Sequence, residues 1–308
     1  MGFGKILAVT ALASAVMIGA QTAASAMGLS ELDAQVVSAA APASSAVSSR
    51  GASWSGDGSA TVKLRMIYEG RDGDRMIEHC GGTVLAPRWI VTAAHCVVSE
   101  SGKPWDVIEI VAGARALDDA RALRRTARNA VIHAGFDYPT LANDVALIRL
   151  SEPLPRRLAA MQLGGSEAPA RATAAGWPVI GAHGGQPLLR RVALSVDAAE
   201  MPGFLTARTE TYRETGVCQG QSGGPLSRGD VLLGMLSGIA PANAGPDGQP
   251  CGAAGYEMYF TPVARYRGWL SRVMAFCDAA PDACDGEAAA YAGGRAAGGL
   301  RPASRVVR

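Results

Sequence analysis

Short apolar runs separated by frequent breaks characterise most of this chain. From residue 51 to about 160, and again from 171 to 263, Val, Ile and Leu occur in brief runs that Gly, Pro and Asp interrupt. Short interrupted runs of this kind are typical of antiparallel strands that close into barrels. The pattern therefore predicts an all-β protein with two β-barrels.

The apolar spacing changes after the second strand-rich region. Between Pro262 and Phe276 apolar residues recur on one helical face, which predicts a helix that follows the second barrel. The residues on this face are Tyr266, Trp269, Leu270, Val273 and Met274.

The first residues have the features of an export signal. Lys5 is followed by an uncharged apolar stretch, Ile6 to Ala20, and then by Ala24-Ser25-Ala26. This order is typical of a secretory signal peptide cleaved after Ala26. An uncleaved membrane anchor is the alternative, but polar residues interrupt the apolar run too early for a good span. We expect a signal peptide over 1–26, a secreted or periplasmic protein and no stable membrane anchor.

The segments on either side of the predicted domain differ from it in composition. Residues 27–50 are rich in Ala and Ser and predict a flexible leader before a folded domain over 51–276. Residues 277–308 begin with two cysteines, Cys277 and Cys284, and continue as an Ala/Gly-rich segment that predicts a disordered basic tail. Anchoring of this tail to an acidic surface is the alternative.

Composition limits the partners of the chain. It has 308 residues, 48% of them hydrophobic, and a formal net charge of +2, so it can bury a large core without a strong attraction to nucleic acid. Its six cysteines, in an exported chain, indicate three disulfides, although the sequence alone leaves their pairing open. No C-x-x-C pair occurs, so we expect no metal site. The oligomeric state is left open.

Three segments place a histidine, an aspartate and a serine in the chain order that a nucleophilic hydrolase could use. They are Thr92-Ala93-Ala94-His95-Cys96, Asn143-Asp144-Val145-Ala146-Leu147 and Gly220-Gln221-Ser222-Gly223-Gly224-Pro225. A serine hydroxyl is a weak nucleophile, so it needs an imidazole to accept its proton and a carboxylate to hold that imidazole in one tautomer. His95, Asp144 and Ser222 are therefore the candidate catalytic residues.

Glycines surround the candidate nucleophile. Gly220 and Gly223 tolerate positive φ, which allows a tight turn on each side of Ser222. The N–H groups of Gly220 and Ser222 can then point at one position and form an oxyanion hole.

The chain resembles the chymotrypsin/trypsin family of serine peptidases over residues 51 to about 275. Besides the three segments above, the resemblance rests on four strings in family order: Trp89-Ile90-Val91, Ala175-Gly176-Trp177, Pro225-Leu226 and Tyr266-Arg267-Gly268-Trp269-Leu270. It implies two antiparallel six-stranded β-barrels with a C-terminal helix. It also implies an exported serine endopeptidase that cleaves peptide or protein substrates through an acyl-enzyme and needs no cofactor.

The resemblance also selects disulfide pairs and supporting residues. It implies the disulfides Cys80–Cys96 and Cys218–Cys251, which leaves Cys277 to pair with Cys284. Ser237 matches a serine that supports the buried aspartate. His79 and His133 occupy positions where the family carries structural histidines, whereas the sequence assigns no particular role to His183.

Two features depart from the family pattern at the step of activation. Gln221 stands where most members carry an aspartate that pairs with a new N-terminal ammonium, and a neutral amide cannot form that ion pair. Trp54-Ser55-Gly56-Asp57 replaces the usual Ile-Val-Gly-Gly-like start. Some bacterial members with a neutral residue at this place do without the ion pair, so we expect an exported peptidase of bacterial type without N-terminal activation.

The expected substrate pocket also departs from the trypsin pattern. Gly216 occupies the position of the aspartate that binds Lys or Arg in trypsin, so the negative charge that recognises these residues is absent from this position. The residues expected at the pocket are Gly216, Ser237, Ile239 and Met258. If Ile239 and Met258 line it, the pocket is apolar; if Glu257 turns inward, it is acidic and favours a basic residue.

Two other functions are compatible with the same residues. An inactive relative could bind a partner through the same cleft, and an esterase could use the same three catalytic residues on a different substrate.

Overall fold

The structure is a computed structural model, and eight stretches of the chain are described. They are residues 60–69, 74–98, 105–158, 160–178, 188–197, 203–209, 220–241 and 256–285. The predictions for the signal peptide, the leader, the basic tail, Gly216, His183 and the Cys218–Cys251 disulfide lie outside them. Within these stretches, no helix is long and apolar enough to cross a membrane.

The first half of the described chain forms a closed six-stranded barrel. All of its strand pairs are antiparallel, in the order β1-β2-β3-β6-β5-β4. A short helix, α1 (Ala94–Val97), follows β3. The strands are β1 (Thr61–Glu69), β2 (Arg75–Ala86), β3 (Trp89–Thr92), β4 (Val107–Ala112), β5 (Leu123–Ile132) and β6 (Ala146–Leu150).

The second half forms another six-stranded antiparallel barrel in the order β11-β8-β9-β10-β13-β12, which the pairing of β12 with β11 closes. A further strand, β7, pairs in parallel with β12. The strands are β7 (Gln162–Leu163), β8 (Arg171–Gly176), β9 (Arg190–Asp197), β10 (Leu205–Thr209), β11 (Pro225–Arg228), β12 (Val231–Pro241) and β13 (Tyr256–Pro262). A 3₁₀ helix (Val263–Tyr266) and α2 (Arg267–Ala279) follow. The prediction of two barrels and a C-terminal helix is confirmed.

Alternation along the strands separates the core from the barrel exterior. On β1, Val62, Leu64 and Met66 point into the first barrel and are fully buried. Burying a side chain of this size stabilises the fold by about 1.5–3 kcal/mol. Leu270 and Val273 of α2 are buried in a separate cluster that includes side chains of the first barrel. The helix therefore packs against the first barrel after the chain leaves the second.

The two barrels meet backbone to backbone at a pair of glycine segments. The N–H of Gly81 on β2 donates to the carbonyl of Ser222, just before β11, at 2.6 Å. A Cβ added to Gly81 would lie 2.9 Å from the Cα of Gly224. Gly223 has φ +76°, and a Cβ there would lie 2.1 Å from Thr92 Oγ1 and 2.6 Å from the Gly81 carbonyl oxygen. Only glycine permits this approach, so the contact fixes the serine segment against the first barrel.

Substitution of Gly223 by alanine should destabilise the fold more than the same change at Gly229. Gly229 also has positive φ, +61°, but nothing lies within 4 Å of an added Cβ. Gly229→Ala should therefore cost only the left-handed strain, about 1–2 kcal/mol. Gly223→Ala adds overpacking against backbone and should cost about 2–5 kcal/mol in total. Urea unfolding of the two variants measures this difference, and equal losses would contradict the close approach.

Candidate active site

Strand pairing brings the candidate histidine and aspartate to the same edge of the first barrel. His95 lies in α1, directly after β3, and Asp144 lies two residues before β6. Because β3 pairs with β6 in the register Thr92 opposite Ala146, the two segments meet at one end of this strand pair. Residues 49 positions apart in sequence thus become direct neighbours.

The carboxylate of Asp144 is fully buried and receives three hydrogen bonds. His95 Nδ1 lies 2.8 Å from Oδ2, and the backbone N–H of His95 donates to Oδ1 at 2.9 Å. The hydroxyl of Ser237 donates to Oδ2 as well. A buried carboxylate is tolerated when donors satisfy it in this way. With Nδ1–H directed at the carboxylate, His95 presents Nε2 as the basic nitrogen.

Two residues that the sequence did not indicate hold the aspartate segment in place. Asn143 adopts φ +54° next to Asp144, a conformation that asparagine accepts more readily than most residues. Its amide donates to the Gly135 carbonyl at 2.7 Å, and the hydroxyl of Tyr266 donates to Asn143 Oδ1 at 3.1 Å. Asparagine before the aspartate was the available signal, whereas its contact with Tyr266 required the fold.

Backbone hydrogen bonds fix the serine segment. Besides the bond from Gly81 to the Ser222 carbonyl, Gly223 N–H donates to the Leu236 carbonyl at 2.7 Å, and Gly220 adopts φ +82°. Cys96 Sγ lies 3.6 Å from the Ser222 carbonyl oxygen and 3.8 Å from His95 Nε2. Within the described stretches, no hydrogen bond joins Ser222 Oγ to His95; such bonds often tighten only when substrate binds.

Two of the three implied disulfides are present in the described part of the chain. Cys80–Cys96 links β2 to α1 next to His95, and Cys277–Cys284 closes a loop at the end of α2. Cys80, His95 and Cys96 place candidate metal ligands within 4.8 Å of one another. The two sulfurs are bonded to each other, so they cannot act as thiolate ligands.

The residues expected at the substrate pocket have different surroundings. Ser237 is buried beside Asp144. Ile239 lies opposite Met258 across β12 and β13, and both pack against the core of the second barrel. Met258 is 1% exposed, so it belongs to this core and offers substrate no surface here.

Glu257 is paired with other residues of the second barrel. Met258 and Phe260 point into the second barrel, so Glu257 and Tyr259 occupy the opposite face of β13. The hydroxyl of Tyr259 donates to the Glu257 carboxylate at 2.9 Å, and Arg208 donates to the same carboxylate from β10. These hydrogen bonds lower the pKa of Glu257 and give its carboxylate partners within the protein.

Two of the other histidines have surroundings that agree with structural roles. Burial, with the positive charges of Lys63 and Arg65 nearby, lowers the pKa of His79 to about 4, so this ring is neutral at pH 7. His133 Nδ1 accepts a hydrogen bond from the Gly135 N–H, and its ring has an edge contact with Tyr266.

The family model and the similar sequences give one family, and a solved structure shares the fold. The family model described as Trypsin matches residues 58–270, more than half of the chain. A trypsin from Simulium vittatum is 31% identical over 54% of this chain and 74% of that protein, and a brachyurin from Leptuca pugilator is 28% identical over 62% and 85%. The solved structure of a human heparin binding protein shares the fold, with a TM-score of 0.56 and 24% identity over 71% of this chain and 93% of that one.

These relatives are animal proteins, so the expectation of a bacterial-type member is not supported. The family match, the two-barrel fold and relatives named as serine endopeptidases agree with one another. The chain therefore belongs to the trypsin family of serine endopeptidases.

Proposed function

We propose that this protein cleaves peptide bonds with Ser222 as nucleophile, His95 as general base and acid, and Asp144 as the residue that orients His95. The observation that carries the proposal is the hydrogen bond between His95 Nδ1 and the buried Asp144 carboxylate, 2.8 Å long. It leaves Nε2 to take the proton from Ser222 as the hydroxyl attacks the scissile carbonyl. The same nitrogen returns the proton to the leaving amine, and water then hydrolyses the acyl-enzyme.

The oxyanion of the tetrahedral intermediate would bind to the N–H groups of Gly220 and Ser222. The positive φ of Gly220 and Gly223 supports this assignment, since it turns the backbone tightly around Ser222. The Gly223 N–H bonds to the Leu236 carbonyl and is not a candidate donor. Loss of one oxyanion donor typically lowers kcat by about 10²–10³.

Removal of the three catalytic groups should have unequal effects. Ser222→Ala and His95→Ala should each lower kcat by roughly 10⁶, because the residues act as a unit. Asp144→Asn should lower it by about 10⁴, because the amide favours the wrong histidine tautomer. Peptide hydrolysis and fluorophosphonate labelling measure these changes. Ser227→Ala is the control, since Ser227 is a buried serine on β11 and should be dispensable.

The outcome of labelling separates the alternatives. Undiminished turnover in Ser222→Ala would remove the catalytic assignment, and a native protein that neither reacts nor hydrolyses would favour an inactive, partner-binding protein. Hydrolysis of esters without hydrolysis of the matching peptides would favour the esterase alternative.

We also propose a preference for small or medium apolar residues before the cleaved bond. Gly216 supplies no charge, and Arg208 and Tyr259 already occupy the Glu257 carboxylate on the outside of the barrel. Ile239, partly buried against the core, supports an apolar wall.

A peptide-library profile should therefore be dominated by apolar residues at this position. Gly216→Asp should shift the profile towards Arg and Lys, which pair strongly with a buried carboxylate. Glu257→Gln is the control and should leave the profile unchanged. A native preference for Arg and Lys would contradict the proposal.

Export, and activity that does not depend on an ion pair from a newly formed N-terminus, complete the proposed function. Segment 1–26 would direct secretion and be removed, and the neutral side chain of Gln221 would need no terminal ammonium. Gln221 is 2% exposed and packs so closely on Gly176 that a Cβ there would lie 2.9 Å from its Nε2.

Proteins that begin at Met27, Gly51 or Trp54 should have similar specific activity at equal active-site titre. The physical reason is that ordinary hydrogen bonds of about 1 kcal/mol each would hold Gln221 in place of an ion pair. Activity confined to a single start would contradict this activation mode.

A further inference from the structure

Lys63 is a buried lysine in direct contact with the oxyanion loop, the segment Gly220–Ser222 that is proposed to bind the oxyanion. On β1 it points away from the core of the first barrel, between the inward residues Val62 and Leu64, yet it is only 1% exposed. Its Nζ donates to the carbonyl of Gly220 at 2.8 Å and to the carbonyl of Trp177 at 3.0 Å. Residues of the second half of the chain therefore enclose this cation.

Packing does not explain a lysine at this position. Burial lowers the pKa of Lys63 to about 7, because desolvation destabilises the ammonium. His79, whose pKa the positive charge of Lys63 helps to lower, is neutral at pH 7 and brings no compensating charge. An apolar side chain of similar length would avoid this cost. The hydrogen bonds to Gly220 and Trp177 are what a lysine adds.

The bond to Gly220 limits how the oxyanion loop can move. Holding the Gly220 carbonyl fixes the peptide plane between Gly220 and Gln221. The N–H group of Gly220 then moves through rotation about the two backbone bonds at its Cα. Glycine tolerates the positive φ of +82° that Gly220 adopts here. Trp177 directly follows β8, so Lys63 ties the loop to a rigid strand end.

We propose that Lys63 is a positioning residue, which orders the loop Gly220–Ser222 from inside the protein so that its N–H groups face the oxyanion. This role rests on the proposed function of Ser222 and His95. It places the cation that orders the loop on β1, independent of where the chain begins.

Lys63→Met removes the donors while keeping most of the side-chain length. We expect kcat on a peptide substrate to fall about 10–100-fold, because a mobile loop loses part of an oxyanion-hole contribution of roughly 10²–10³. KM should change little, and the affinity for a peptide boronic acid, which forms a tetrahedral adduct on the serine, should fall in parallel with kcat. Lys63→Gln keeps an N–H donor one atom shorter and should recover part of the loss.

Arg65→Met is the matched control. Arg65 lies two residues along β1 on the same face and pairs with Glu109 instead of the loop. It should keep native kcat and native boronate affinity. Equal losses in the two methionine variants, a native kcat in Lys63→Met, or a loss confined to KM would overturn the role of Lys63.

The experiment also separates this inference from the proposed function. A native protein that fluorophosphonate does not label would overturn the catalytic assignment itself, whereas a labelled native protein with an unaffected Lys63→Met variant would overturn only the positioning role. If Lys63→Met fails to fold, Lys63→Gln decides: reduced kcat at unchanged KM supports the role, and native kcat overturns it.

Discussion

A buried carboxylate at the junction of the two barrels is the constraint on which the site depends. Asp144 has no solvent contact, so its charge would cost several kcal/mol without hydrogen-bond donors. Those donors come from His95 beside the first barrel and from Ser237 on β12 of the second. Satisfying one charge therefore requires both barrels to be folded and correctly docked. The histidine that the proposed chemistry uses is oriented by the same requirement.

The contact between the barrels combines close backbone approach with few polar anchors. At Gly81 and Gly223 the two halves are too close for any side chain, so the serine segment cannot shift without breaking the bond between Gly81 and the Ser222 carbonyl. At Lys63 the halves are farther apart, and a long cationic side chain fills the gap. Rigid backbone fixes the segment around Ser222, while the Lys63 side chain reaches the loop that precedes it.

The sequence predicted the barrels and the terminal helix, and it indicated the three candidate segments around His95, Asp144 and Ser222, because each rests on local signals. Short apolar runs predict strands, and glycines around Ser222 predict a tight turn. The features that the sequence could not predict depend on how the strands pair and how the barrels dock. The alternation of apolar and polar residues along β1 predicts an exposed Lys63. Its burial follows only from the second barrel, which covers that face of β1. The pairing of Glu257 with Arg208 likewise requires the register of β10 and β13.

The magnitude of the Lys63 contacts is suited to ordering a loop without locking it. A hydrogen bond from a charged donor contributes about 1.5–3 kcal/mol net, less what desolvation removes. Since about 1.4 kcal/mol changes an equilibrium tenfold, one or two such bonds shift the loop population by roughly 10–100-fold. The carbonyl partners of Lys63 are uncharged, so no charged group is left unpaired if the amine, with a pKa of about 7, loses its proton. The neutral amine still donates hydrogen bonds to them. A lysine bound to carbonyls can therefore keep the loop ordered in both protonation states, which a carboxylate that needs a charged partner cannot do.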